Sequence, residues 1–310
     1  EEALRKDVAD WHARHHAITE AGLPKDRPWG RGRIDAVGMI LNRVTGLDIG
    51  TGPSRIMTQN MVMADAPVRP PFLWNAPRQD HVQWPGFADN GDRILAMARN
   101  VGQVYGVFGA FAPRPDSRHL LGVNYIEGNS VDFSGIMALE HLVERIAPPK
   151  WLWPVDYALV EKGRQIFERP YDENGCADCH GVAPGTPRLL NQDTWCTPVQ
   201  DVGTDTREYK YLRPDWKVET GVLKGAAIPF VSKPLEEKDA PVAILATAVR
   251  GAILQQFLPV TFDNALARKK AEVALSLLQP LVEELKGVYT LPGAPGGARW
   301  ACRRAPEFPG

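Results

Sequence analysis

The chain has 310 residues, of which 44% are hydrophobic and 24% are charged, a balance typical of a globular protein with a buried core. Its formal net charge of -1 argues against a nucleic-acid partner or an anionic membrane surface. The longest apolar runs, such as Val242 to Val249, are too short to cross a bilayer, so we expect no membrane span. The chain starts at Glu1 without a recognisable signal peptide, as expected of a processed chain or a fragment.

The first predicted elements are helices separated by long loops. Apolar residues recur at helical spacing from Leu4 to Ile18, which predicts an amphipathic first helix with His15 on its apolar face. The next elements, in chain order, are an apolar segment at 34–44, a structured loop at 64–90, and helices from Asp92 to Val104 and from Ile136 to Ile146. These residues predict a helical and loop-rich domain at 1–147.

A proline-rich stretch from Pro148 to Pro154 marks the predicted domain boundary, because paired prolines cannot continue a helix. After it, Asp156 can cap a helix that runs to Phe167. Turn-forming residues then dominate until two later helices are predicted, at 240–256 and at 264–286 with a kink at Pro280.

The fold class predicted from these elements is mainly α. A second helical domain is expected at 148–288, followed by a tail at 289–310 that is unstructured or truncated. Eight of the 22 tail residues are proline or glycine, and no apolar period runs through them.

The run Cys176-Ala177-Asp178-Cys179-His180 matches the attachment motif of c-type haem. Two thiols three positions apart can bond to the two vinyl groups of one porphyrin, and the adjacent histidine then ligates the iron. A chance match is expected in only about one such chain in a thousand. We therefore predict one covalent haem c on Cys176 and Cys179, with His180 as the iron ligand, and a cytochrome c-type second domain.

Zinc binding, thiol redox chemistry and chance are the three alternatives to haem for this motif. A zinc site would need a further ligand pair, and downstream there are only the lone Cys196 and Cys302. A redox-active thiol pair would follow a strand, whereas a helix and a loop are predicted here. Haem attachment requires reduced thiols outside the cytoplasm, so the haem interpretation predicts a periplasmic or secreted protein.

The predicted helix before the motif has features common in small c-type cytochromes. Gly163 fits a close helix crossing and Phe167 fits a wall of the haem pocket. Gly163 is equally well explained as an accidental interruption, although glycine inside a helix costs about 1 kcal/mol.

No histidine or methionine follows the motif between Gly181 and Gly310. Three interpretations of the second axial position of the iron follow. It is open to a small ligand, it is bound by an upstream residue, or its ligand lies in a C-terminal segment that this chain lacks. His81 is the strongest upstream candidate, since it lies in the long loop between Arg78 and Trp84. His15 is expected to be a core residue, and Met39, Met97 and Met137 are expected to serve packing.

With these features assembled, residues 30–288 resemble the rubber-oxygenase-like c-type cytochromes, which are related to the dihaem cytochrome c peroxidases. Only the haem motif is a strongly specific signal. The other segments support the resemblance because they follow one another in the family's order along the chain. Those segments are Gly32 to Ala36, Trp74 to Gln79 with Gln83 and Trp84, Asn100 to Gly109, Thr197 to Val199, and Asp201 to Asp205.

The resemblance implies that Cys176, Cys179 and His180 correspond to the second of two haems, with the first motif falling before Glu1. It places Trp84 and Phe108 over the open face of the first haem as candidate catalytic aromatics, although both could equally be core residues. In the family the second haem takes its distal histidine from a Leu-His-Asn-Gly segment. Here the tail replaces that segment, which suggests truncation or a changed reading frame and makes Cys302 accidental.

Two functions remain after these arguments. The first is electron transfer through the iron to a redox partner protein or a small electron donor or acceptor. The alternative is a haem oxidoreductase, either an oxygenase of polyisoprene-like substrates or a peroxidase, or a fragment of one. The absent first haem favours electron transfer.

Overall fold

The computed structural model describes residues 1–107, 109–119, 121–188, 193–198, 203, 205–229 and 231–257, together with 269, 273, 276 and 286. This part of the chain is helix-rich, so the prediction of a mainly α fold is confirmed. Its α-helices are α1 (Glu2–Gly22), α2 (Ala36–Arg43), α3 (Arg93–Gly106), α4 (Phe133–Val143), α5 (Tyr157–Phe167), α6 (Ala177–His180), α7 (Arg207–Lys210) and α8 (Pro241–Phe257).

The strands in the described residues are short antiparallel pairs of two residues each. They are β1 (His81–Val82) with β2 (Ala88–Asp89), β3 (Arg114–Pro115) with β4 (Val123–Asn124), and β5 (Val218–Glu219) with β6 (Lys238–Asp239). A π-helical turn at Val44–Asp48 continues directly from α2. The strands fasten loops to one another and form no extended sheet.

Aspartates fix where several helices begin. Asp35 accepts from the backbone N–H of Gly38 at 2.8 Å, and Asp92 accepts from that of Leu95 at 2.8 Å. Asp132 and Asp156 cap α4 and α5 in the same way. Such a carboxylate satisfies N–H groups that have no partner inside the helix. The predicted starts at Asp92 and Asp156 are therefore confirmed, whereas α4 lies three residues earlier than predicted at both ends.

One hydrophobic core gathers residues from both sides of the predicted boundary at residue 148. Its largest buried members include Tyr105 and Tyr125 before the boundary, and Leu212 and Ile244 after it. On α8, Gly251 faces the Tyr125 ring so closely that an added Cβ would lie 2.5 Å from a ring carbon. The described residues of the proposed second domain therefore do not have a core separate from the first.

Three methionines were predicted to serve packing. Met39 and Met97 are buried, and Met137 is half-buried against the main core. The prediction that these three side chains serve packing is confirmed.

Helix α1 forms as predicted, but most of its apolar stripe is not buried. Leu4, Val8 and Trp11 are 66%, 56% and 60% exposed, whereas Ile18 is 2% exposed. The helix is held through its second half, where Arg14 donates to the Leu47 carbonyl at 2.5 Å and to Asp48. His15 is half-buried beside the Trp11 ring rather than in the core.

The predicted helix at 264–286 and the tail at 289–310 fall outside the described residues, apart from four isolated positions in the former. Within the described part of the chain, no helix combines the length and the apolar character needed to cross a membrane.

Candidate haem-binding site

The haem motif forms a single helical turn on the surface. Cys176 precedes α6, and its carbonyl accepts from the N–H of His180 at 2.8 Å and from that of Cys179 at 3.2 Å. Cys176 lies three positions before Cys179 and four before His180, so one helical turn carries both thiols and the imidazole. Both cysteines are thiols, with Cys176 exposed and Cys179 half-buried, and His180 is exposed.

Short backbone contacts tie this turn to the end of α5. The Cys176 N–H donates to the Phe167 carbonyl at 3.0 Å. The Asp178 carboxylate accepts from the N–H of Tyr171 at 2.9 Å. Gly175 is required between them, because an added Cβ would lie only 1.7 Å from the Arg169 carbonyl oxygen. The loop after α5 therefore sets the position of the motif.

The surface beside the motif is unusually apolar. None of the residues of α5 is buried, although it carries large apolar side chains. An added Cβ on Gly163 would meet none of the described atoms within 4 Å. The exposed apolar side chains of this segment are Leu159, Val160, Ile166, Phe167, Tyr171 and Val182, preceded by Trp151, Leu152 and Trp153. Contiguous exposed apolar surface is common where proteins bind ligands or partner chains, so this segment is a candidate for such a surface.

The chain that follows the motif is anchored to the first half of the protein by Asp80, which is 3% exposed. One oxygen of its carboxylate accepts from the Thr197 N–H at 2.7 Å, and the other accepts from the Thr186 N–H at 3.0 Å. The Asp80 N–H donates to the Trp195 carbonyl at 2.9 Å. We call this group of contacts the Asp80 anchor.

Further contacts extend the Asp80 anchor along both segments. The Thr197 hydroxyl donates to the Gln79 side-chain oxygen at 2.7 Å, and the Arg188 guanidinium donates to the carbonyls of Asp80 and Asn90. The Arg78 guanidinium lies 5.6 Å from the centre of the Trp195 ring, a cation–π distance. The sequence did not predict this contact, although Gln79 and Thr197 both belong to segments that carried the family resemblance.

The remaining residues predicted from the sequence lie near the Asp80 anchor or outside the described residues. Trp84 occupies the turn between β1 and β2 and is 65% exposed, so it is not a core residue. His81 is half-buried, and its Nδ1 lies 3.0 Å from Asp89 Oδ1. Phe108 and Cys302 are outside the described residues. Cys196 is disulfide-bonded and therefore offers no thiolate to a zinc ion.

A buried acid, Glu208, lies on α7 beyond the Asp80 anchor. It is 3% exposed, and neither carboxylate oxygen meets a hydrogen-bond donor in the described part of the chain. Burial, together with the nearby charges of Asp35 and Asp205, raises the pKa of Glu208 to about 8. Glu208 is therefore largely protonated at neutral pH.

The described residues contain no group of three or more His, Cys, Asp or Glu side chains that could together hold a metal ion. A haem iron does not require such a group, because the porphyrin supplies four of its ligands. No protein-family model, curated protein or solved structure matches this chain.

Proposed function

We propose that this chain is a c-type cytochrome that binds one haem through Cys176, Cys179 and His180 and transfers electrons through its iron. The observation that carries the proposal is the single surface turn that brings two thiols and an exposed imidazole together. Thioether formation adds each S–H across one vinyl group, with sulfur bonded to one carbon and hydrogen to the other, so the attachment needs no oxidant.

The residues around the turn fit a haem in their chemistry. A porphyrin is a large apolar ring, and the exposed side chains of α5 near the motif offer an apolar surface to it. Phe167, the last residue of α5, is joined directly to the motif, because its carbonyl accepts from the N–H of Cys176. Burying a leucine or phenylalanine side chain contributes about 1.5 to 3 kcal/mol, so a few such contacts would hold the ring firmly.

Each side chain has a separate task in the proposed protein. The thioethers of Cys176 and Cys179 would fix the ring, and the His180 imidazole would bind the iron. When bound, the haem would supply one-electron chemistry between ferrous and ferric iron. The Asp80 anchor holds the chain after His180 against the body of the protein. A redox partner protein or a small electron carrier would exchange electrons with this site, in the periplasm or outside the cell.

The second candidate function is a haem oxidoreductase that activates oxygen or peroxide. The observation that favours it is the lack of any histidine or methionine from Gly181 to Gly310, which leaves the sixth iron position without its usual downstream ligand. The resemblance to rubber-oxygenase-like cytochromes would give such an enzyme a polyisoprene-like substrate. Electron transfer remains the first proposal, because a one-electron carrier needs no more than one covalently held haem with a histidine ligand.

The test is expression of the full chain in a host that matures c-type cytochromes, followed by denaturing electrophoresis with a haem-peroxidase stain. We expect a stained band near 34.2 kDa that disappears in the Cys176→Ala, Cys179→Ala double variant. His141→Ala, on the exposed face of α4, is the matched control for His180→Ala and should keep the visible spectrum that His180→Ala loses. A stain that survives the double variant would refute the attachment.

The same protein distinguishes the two functions. With the sixth position open, ferrous haem should bind carbon monoxide and the ferric spectrum should be high-spin or mixed. A fully low-spin spectrum that His81→Ala converts to high-spin would identify His81 as the distal ligand. Cleavage of polyisoprene at enzymatic rates would overturn the electron-transfer proposal in favour of the oxidoreductase.

A further inference from the structure

Helix α1 presents two histidines that have no part in the haem proposal. His12 and His16 are one helical turn apart, so they share a face, and both are exposed. Their ring centroids are 6.2 Å apart and their planes differ by 30°. The two imidazoles are therefore already side by side on one surface.

The backbone that carries the two histidines is fixed to the rest of the protein. Arg14, between them in the sequence, donates to the Leu47 carbonyl and pairs with the buried Asp48. Ile18, two residues beyond His16, is 2% exposed. Only the side-chain torsions of the two histidines remain to be adjusted when a ligand binds, which reduces the entropy lost.

A shallow cleft of about 700 Å³ lies along this face of α1. His12 and His16 line it together with Thr58, and the small side chains Ala13, Ala17 and Ala21 leave it open. Glu20 lines the cleft one turn beyond His16, and its carboxylate is bonded to Lys25. An ion held by the histidines would therefore reach solvent directly and would lie near a carboxylate.

We propose that His12 and His16 form a two-histidine site for a borderline divalent transition-metal ion such as Ni²⁺, Cu²⁺ or Zn²⁺. Imidazole nitrogen is a favoured ligand of these ions, whereas Mg²⁺ and Ca²⁺ prefer oxygen. Water fills the remaining coordination positions, in keeping with the absence of a third coordinating side chain among the described residues. Glu20 contributes negative charge near the site, and its Oε2 accepts from Lys25.

The observed spacing is close to what chelation needs. An ion about 2.1 Å from one nitrogen of each ring lies about 3.2 Å from each centroid, so bond angles of about 90° to 120° need centroids about 4.5 to 5.5 Å apart. The observed distance of 6.2 Å lies slightly above that range. Rotation about one side-chain torsion of an exposed histidine is enough to bring the two rings within it.

The experiment is isothermal titration calorimetry of the full chain with Ni²⁺ at about pH 7.5, where imidazoles are free to coordinate. One ion should bind per chain, and His12→Ala or His16→Ala should each weaken that binding by about tenfold or more, because losing one ligand removes the gain from linking the two. His15→Ala and His141→Ala are the matched controls and should leave the affinity unchanged. Helix content by circular dichroism should be the same in all variants.

The site at Cys176, Cys179 and His180 is the same in the parent chain and in every histidine-to-alanine variant of this experiment, so it cannot produce a difference between them. Equal Ni²⁺ affinity in the parent chain and the His12→Ala variant would overturn the proposal, as would an equal loss in the His15→Ala control. The proposal is also independent of the haem, since the double variant without Cys176 and Cys179 should still bind the ion.

Discussion

Replacing Asp80 by asparagine tests whether the chain after the haem motif is held by the carboxylate as the structure shows. The change preserves the size and shape of the side chain and converts one oxygen into an NH₂ group. Asp80 accepts from the Thr197 N–H through one oxygen and from the Thr186 N–H through the other. Whichever way the amide turns, its NH₂ group faces one of these two donors.

The expected loss of stability follows from those contacts. A hydrogen bond to a charged group contributes about 1.5 to 3 kcal/mol, and a buried donor left without an acceptor costs about 1 to 3 kcal/mol. Because Asp80 is 3% exposed, water cannot easily replace the lost acceptor. We therefore expect Asp80→Asn to lower the free energy of unfolding by about 2 to 4 kcal/mol.

Urea unfolding followed by circular dichroism measures this loss. Asp215→Asn is the control, because Asp215 is exposed and its ion pair is with the nearby, exposed Arg213, so the unfolding midpoint should not move. Limited trypsin digestion adds a local readout at Arg188, which donates to the Asp80 carbonyl and should be cleaved faster in the variant. A change below about 0.5 kcal/mol with unaltered digestion would refute the Asp80 anchor as a stabilising contact.

Two further predictions concern buried positions away from the motif. Burial raises the pKa of Glu208 from 4.5 to about 8, so the folded chain keeps a proton that the unfolded chain releases between these values. That stabilising contribution is complete below pH 4.5 and is lost as the pH rises through about 8, with a slope of at most about 1.4 kcal/mol per pH unit. Glu208→Gln should flatten this slope in urea unfolding series, and an unchanged slope would contradict the assignment. Gly251→Ala should destabilise the fold by about 1 to 3 kcal/mol, because its Cβ would collide with the Tyr125 ring. Gly52→Ala, whose Cβ would meet none of the described atoms within 4 Å, should show no comparable loss in thermal unfolding, and equal effects would rule out the collision.

The sequence alone was sufficient to predict those features of the structure that depend on residues close together in the chain. Asp92 and Asp156 cap helices that begin immediately after them, because a capping carboxylate reaches only N–H groups two or three residues away. The motif from Cys176 to His180 is likewise contained within a few consecutive residues. For the same reason the mainly α fold could be predicted from periodicity alone.

The sequence did not determine which surfaces meet. The apolar periodicity of α1 correctly predicted a helix, but its stripe at Leu4, Val8 and Trp11 stays exposed, because burial needs a second surface that periodicity does not describe. Pro148 and Pro149 marked an irregular segment, yet a single core draws on the chain before and after it.

The Asp80 anchor shows the physical reason for this limit. Asp80 bonds to Thr186 and Thr197, which are 106 and 117 residues away in the chain. Nothing in the composition around Asp80 distinguishes it from an aspartate in an exposed turn. Its role depends on the closure of a long loop, whose entropic cost is offset only when many contacts form together. The motif from Cys176 to His180 is visible in the sequence alone, and only the tertiary structure decided where its turn is held.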